Sequence, residues 1–167
     1  MIGNNKFLLS IVLGVVLLVV VTFAVILRRP VPTYQLDEQP RGVAHNYLLA
    51  LQRQEFERAY GYLSPTLKGY PPSVDRFGAD ILDNRWDFQF NNNTSVSVVI
   101  DSVQVIGEEA VISVRQTTFY RDGFLSSNQY TTTFTMRLRL AQPDGAWKII
   151  DSESYWLNCW QEAEGCS

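Results

Sequence analysis

In a strand with a two-residue side-chain period, the face that carries Trp147 and Ile149 also carries Asp151. A carboxylate held away from water is shifted toward neutrality and can then move a proton as a general acid or base. Three other segments supply polar groups that could stand beside it: Tyr47, Gln116 and Tyr130. Tyr47, Gln116, Tyr130 and Asp151 are therefore the ligand-pocket candidates. They form no catalytic set, because a single carboxylate without a histidine partner can equally end its strand and bond backbone or solvent.

The one histidine, His45, falls on the polar face of an expected helix over 40–53, beside Gln52. That placement leaves no serine, histidine and acid set. There is no glycine loop to cradle phosphate and no metal-ligand cluster, so neither cofactor nor metal is expected. The two cysteines, Cys159 and Cys166, lie in the last nine residues. A closed zinc site needs four ligands. The pair suits a disulfide-closed loop in an oxidising compartment, with a reduced pair as the alternative.

At the other end, residues 7–27 carry no charge and only Ser10, Gly14 and Thr22 dilute them. At about 1.5 Å rise per residue, roughly 20 such residues cross a hydrocarbon core about 30 Å thick. A signal peptide would have an apolar region of roughly 7–15 residues ending in small residues. This run is longer and stops at Arg28, Arg29 and Pro30, with no cysteine after it for lipid attachment. The expectation is an uncleaved single-pass anchor that contacts the lipid bilayer through residues 7–27. Positive charges lean by a narrow margin toward a cytoplasmic domain. Cysteine usage favours an extracytoplasmic one, which is the orientation expected.

The resulting plan is a short tail (1–6), a transmembrane helix (7–27), a proline-rich spacer (28–39), one domain (40–156) and a cysteine-containing tail (157–167). Setting aside Lys6, Arg28 and Arg29 leaves 11 of the 14 Lys and Arg against 17 Asp and Glu, a net charge of −6. No basic stripe is present, which argues against a nucleic-acid partner.

Within the domain, Val43, Ala44, Tyr47, Leu48, Ala50 and Leu51 share one arc of the first helix. A second helix is expected over 55–63. A third begins at Ser73 as N-cap and carries Val74, Phe77, Ile81 and Trp86 as its stripe. Beyond Ser95 the period changes to two. Strands are expected over 96–106, 110–121, 130–140 and 146–156, with turns at 107–109, at Asp122-Gly123 and at Pro143-Asp144-Gly145. The apolar phase slips around Asp101-Ser102, as a β-bulge would make it. Helices first and an antiparallel meander afterwards give an α+β domain of about three helices packed on a curved, four-stranded, mainly antiparallel sheet.

Two stretches, residues 47–64 (YLLALQRQEFERAYGYLS) and 145–150 (GAWKII), resemble the nuclear-transport-factor-two-like superfamily, in particular its small anchored bacterial members. The resemblance runs from about Pro40 to Trp156 and implies a cone-like fold. The family's glycine-aspartate break is absent at Gln54-Glu55, which implies a less sharp joint between the first two helices. Enzymes of this family, such as ketosteroid isomerases, polyketide cyclases and scytalone dehydratase, point carboxylates, tyrosines or histidines into the cone. Small type IV secretion components share the plan of tail, span and domain.

Three function classes follow. The first is a non-enzymatic, membrane-tethered binding or interaction module that takes a small apolar ligand. The second is an envelope-assembly subunit, with Thr131, Thr133, Thr135, Arg137 and Arg139 as its homodimer or partner surface. The third is a small-molecule enzyme using Asp151 and Tyr47. Trp156 and Trp160 are expected beside the disulfide as an exposed aromatic patch or a cap over the cone mouth. Asn92 and Asn93 each begin a glycosylation sequon.

Overall fold

The computed structural model describes residues 5–27, 32–88, 94–121, 127–141 and 145–166. Asn92 and Asn93 of the two sequons and the Asp122-Gly123 turn lie outside them, as do Pro143 and Asp144 of the last turn. The chain divides into two units, one ending at Thr33 and one beginning at Tyr34.

The first unit is helix α1 (Asn5–Leu27). It hides its two hydroxyls by turning each back onto its own backbone: Ser10 donates to the Lys6 carbonyl (2.9 Å) and Thr22 to the Leu18 carbonyl (2.8 Å). The span from Lys6 to Ala24 is long and apolar enough to cross a membrane.

The second unit holds α2 (Pro40–Gln52), α3 (Phe56–Tyr60), α4 (Val74–Asp83), β1 (Thr94–Ile106), β2 (Glu109–Arg121), β3 (Ser127–Leu140), β4 (Trp147–Ser152) and a 3-10 turn at Asn158–Gln161. Pro40 opens α2 where its missing N–H costs nothing. Ser73 caps α4 by accepting from the Arg76 amide at 3.1 Å. The four strands form one antiparallel sheet in the order β1-β2-β3-β4. One core joins Tyr47, Leu51, Phe77 and Ile81 of the helices to Ile112, Val114, Phe134, Met136, Leu138 and Ile149 of the inner sheet face. The chain is an α+β protein.

The bulge expected near Asp101 is present, between Ile100 and Ser102 in the pairing with β2. Arg41 reaches from α2 to the Ile100 carbonyl beside it (3.1 Å). The outer edge of β4 is partly covered, because Leu63 bridges Ile149 in parallel.

Four expectations change. The joint between α2 and α3 is sharp despite the missing glycine. Gln54 adopts φ 58°, its amide reaches the Leu51 carbonyl (3.0 Å), and the Glu55 amide reaches Ala50 (2.9 Å). This is the helix-ending pattern that glycine usually serves. Trp86 lies beyond the end of α4 and is 80% exposed, so it does not extend that helix's apolar stripe.

Half of the stretch read as spacer is folded onto the domain. Gln35 exchanges two hydrogen bonds with the buried Asn46 side chain (2.8 Å each), and Tyr34 stacks under the Arg58 guanidinium at 3.9 Å while donating to Glu55. Gly42 permits this strap, since a Cβ there would stand 1.8 Å from the Leu36 carbonyl oxygen.

Leu157 and Trp160 of the cysteine tail belong to the core as well. Trp160 is fully buried between Phe77 (5.1 Å), Phe88 (6.0 Å) and Trp156 (5.1 Å), and Trp156 is 6% exposed. The exposed patch expected there does not exist. Burying rings of this size outweighs the polarity of the residues around them.

Candidate ligand site

The site is best built from the inner sheet face outward. Its floor is aliphatic: Ile112, Val114, Met136, Leu138 and Ile149 are all fully buried. Above the floor comes a neutral polar band, in which Gln116 (4% exposed) donates from Nε2 to the Thr118 hydroxyl (2% exposed) at 3.0 Å. The sheet register sets Thr132 opposite Gln116 and Tyr130 opposite Thr118. Tyr130 shares that face but is 64% exposed, so it stands at the rim.

Tyr47 enters from α2. It is completely buried, and its hydroxyl donates to the Tyr155 carbonyl at 2.8 Å. Burial pushes its ionisation well above the ordinary tyrosine range. A phenol so buried and already bonded is a structural donor rather than a base.

Asp151 does not join these groups. A second bulge leaves Ile150 as an extra residue between Ile149, opposite Leu138, and Asp151, opposite Arg137. The slip turns Asp151 to the outer face. There it pairs with Arg137 at 2.6 Å and accepts from Gln161 at 2.5 Å. Similar cross-strand pairs, Arg115 with Asp101 (2.7 Å) and Arg139 with Glu109 (2.6 Å), cover the same face. The structure thus brings Tyr47 and Gln116 to the interior, leaves Tyr130 at the rim and removes Asp151.

In its place the structure supplies two residues from the end of the stretch expected as the last strand, which stops at Ser152 rather than at Trp156. After β4 the chain turns at Tyr155, whose φ of 57° is unusual for so bulky a residue. The turn lays the Tyr155 ring over Phe134 of the inner face (5.8 Å). Tyr155 and Trp156 are both buried, and among the described residues neither the Tyr155 hydroxyl nor the Trp156 indole nitrogen has a hydrogen-bond partner. Burial raises the Tyr155 ionisation as well. Thr118, by contrast, was legible, two positions beyond Gln116 on one strand.

Asp80 is the one buried carboxylate among the described residues. It is committed to Arg76 (2.8 Å) and to the Trp160 indole N–H (3.4 Å). His45 is half-buried. No group of three metal-ligating side chains occurs among the described residues. Cys159 and Cys166 form the expected disulfide, with their Cα atoms 5.0 Å apart.

The chain is similar to several solved structures. A candidate ketosteroid isomerase from Shewanella frigidimarina is 18% identical, with 68% of this chain and 93% of that one covered and a TM-score of 0.49. An NTF2-like protein with a cystatin-like fold from Novosphingobium aromaticivorans is 15% identical, covering 72% and 81%, also at 0.49. A domain with a cystatin-like fold from Nostoc punctiforme is 14% identical, covering 67% and 71%, at 0.46. No family model and no curated protein matches the chain. These are likenesses of fold, and the activity in the first name belongs to that protein.

Proposed function

We propose that the protein is a single-pass, membrane-tethered binding module of the cell envelope that holds a small, mainly apolar molecule against the inner sheet face. The observation that carries this reading is the chemistry of that face. It offers an aliphatic floor and a neutral amide-hydroxyl band, while the carboxylate expected there sits on the opposite side in an ion pair. Such a surface binds and orients, and among the described residues it presents no group poised to move a proton. The apolar α1 supports the tether, and the disulfide supports an extracytoplasmic domain.

Thiol labelling of intact cells tests the placement. Labelling of Cys159 and Cys166 only after reduction, by a reagent that does not cross membranes, is expected. Ready labelling without reduction, seen only in permeabilised cells, would place the domain inside.

A second reading is an assembly subunit that docks through the outer sheet face, as a homodimer or on an envelope protein. It is favoured by the exposed Val99, Val111 and Phe119, set among Thr131, Thr133, Thr135, Arg137 and Arg139. Sedimentation of the full chain in detergent over a hundredfold concentration range tests self-association. A monomer throughout, with no envelope protein cross-linked at Thr133 or Thr135 in cells, would count against it.

A further inference from the structure

Tyr155 and Trp156 are consecutive, buried and rigidly held, yet each keeps a donor without an acceptor among the described residues. Their surroundings explain the rigidity. The Tyr155 carbonyl is fixed by the Tyr47 hydroxyl, its ring lies over Phe134, and the Trp156 ring stands at 83° to that of Trp160. The segment is thereby fastened to α2, to β3 and to the aromatic core at once.

Native interiors rarely leave buried donors unpaired, and those that are left have an explanation. The backbone at Tyr155 adds a second anomaly, a left-handed conformation in a bulky residue. Such conformations persist where the surrounding structure enforces them, and they cluster at functional positions. From this turn the Tyr155 ring meets Phe134 of the inner face and the Trp156 ring meets Trp160.

Resting on the reading of that face as a ligand site, we propose that the Tyr155 hydroxyl and the Trp156 indole N–H recognise an acceptor oxygen on a neutral, mainly apolar ligand: a ketone, ester or amide carbonyl. Neutrality follows from the lining. Among the described residues the inner-face positions of β1, β2 and β3 carry aliphatic, aromatic, hydroxyl and amide side chains and no cation. A buried carboxylate or phosphate would have no counter-charge there, and an unpaired buried charge is far costlier than an unpaired dipole. A carbonyl needs only donors, and these two bond nothing else among the described residues. The neighbouring Gln116–Thr118 pair already satisfies itself in part, so the pair after β4 is the discriminating one.

The test uses the full chain in lipid nanodiscs, with nitrogen-15 on the indoles of its four tryptophans. The probes are acetophenone and α-methylstyrene, which share one shape and differ by an oxygen against a methylene. Affinities are referred to the free aqueous concentration of each. Trp156→Phe assigns the Trp156 signal, and Tyr155→Phe removes one oxygen while keeping the ring.

Acetophenone is expected to bind about tenfold more tightly than α-methylstyrene, one net hydrogen bond's worth. It is also expected to move the Trp156 indole proton, and Tyr155→Phe to shrink the preference. Equal binding of both probes with an unmoved Trp156 indole would overturn the donor assignment and leave the ligand site standing. Binding of neither would overturn both. A long-lived buried water on the Trp156 indole that acetophenone does not displace would also overturn the assignment.

Discussion

The Tyr47 hydroxyl donates to the Tyr155 carbonyl across 2.8 Å, joining α2 to the segment after β4 over a sequence separation of 108. Tyr47→Phe should cost about 1–2 kcal/mol in urea denaturation, since it leaves a buried carbonyl short of its donor. The burial of the two tyrosines sets an alkaline limit. Burial raises the ionisation of Tyr47 and Tyr155 above the ordinary 10.0, so the folded state holds these protons more tightly than the unfolded chain. The stability they contribute is fully present below pH 10 and falls as the pH rises beyond it. Tyr47→Phe should show a shallower loss of stability above pH 10 than the wild type.

Gly42→Ala should lift the strap. The new Cβ would meet the Leu36 carbonyl at 1.8 Å, a backbone atom with no rotamer to escape into. A loss of about 2–3 kcal/mol is expected. Hydrogen exchange should rise at the Gln35 amide, which now bonds Asn46.

Gln54→Gly should stabilise. Gln54 holds a left-handed conformation that costs a side-chain-bearing residue energy and costs glycine none. A gain of about 0.5–1 kcal/mol in thermal denaturation is expected.

Asp151→Asn should be nearly silent. Its partner Arg137 is largely exposed, and surface pairs contribute up to about 1 kcal/mol. Probe binding at the inner face should be unchanged. A large loss of binding would return Asp151 to the site.

Replacing Cys159 and Cys166 together by serine should cost about 2–3 kcal/mol, the loop-closure contribution for so short a ring. Near-ultraviolet circular dichroism would show whether Trp160 keeps its fixed environment.

Patterns that are local in the chain were legible. The Ser73 cap, the α2 arc and the bulge at Asp101-Ser102 each rest on a few neighbouring residues, and the last shows because Asp101 and Ser102 interrupt the apolar alternation. The second bulge was silent for the opposite reason. Ile149 and Ile150 are both apolar, so the register slips between them without marking the pattern, and Asp151 changes face unseen. The strap and the burial of Trp160 depend on groups far away in sequence, Asn46 and Phe77, and no period announces such contacts. Tyr155 was hidden because its backbone leaves the strand conformation on which alternation relies.

The apolar α1 also bears on how the protein would meet anything else. With α1 in a bilayer, as proposed, the domain would travel only within the plane of that membrane. Encounters with a partner in the same membrane then become a search over a surface rather than through a volume.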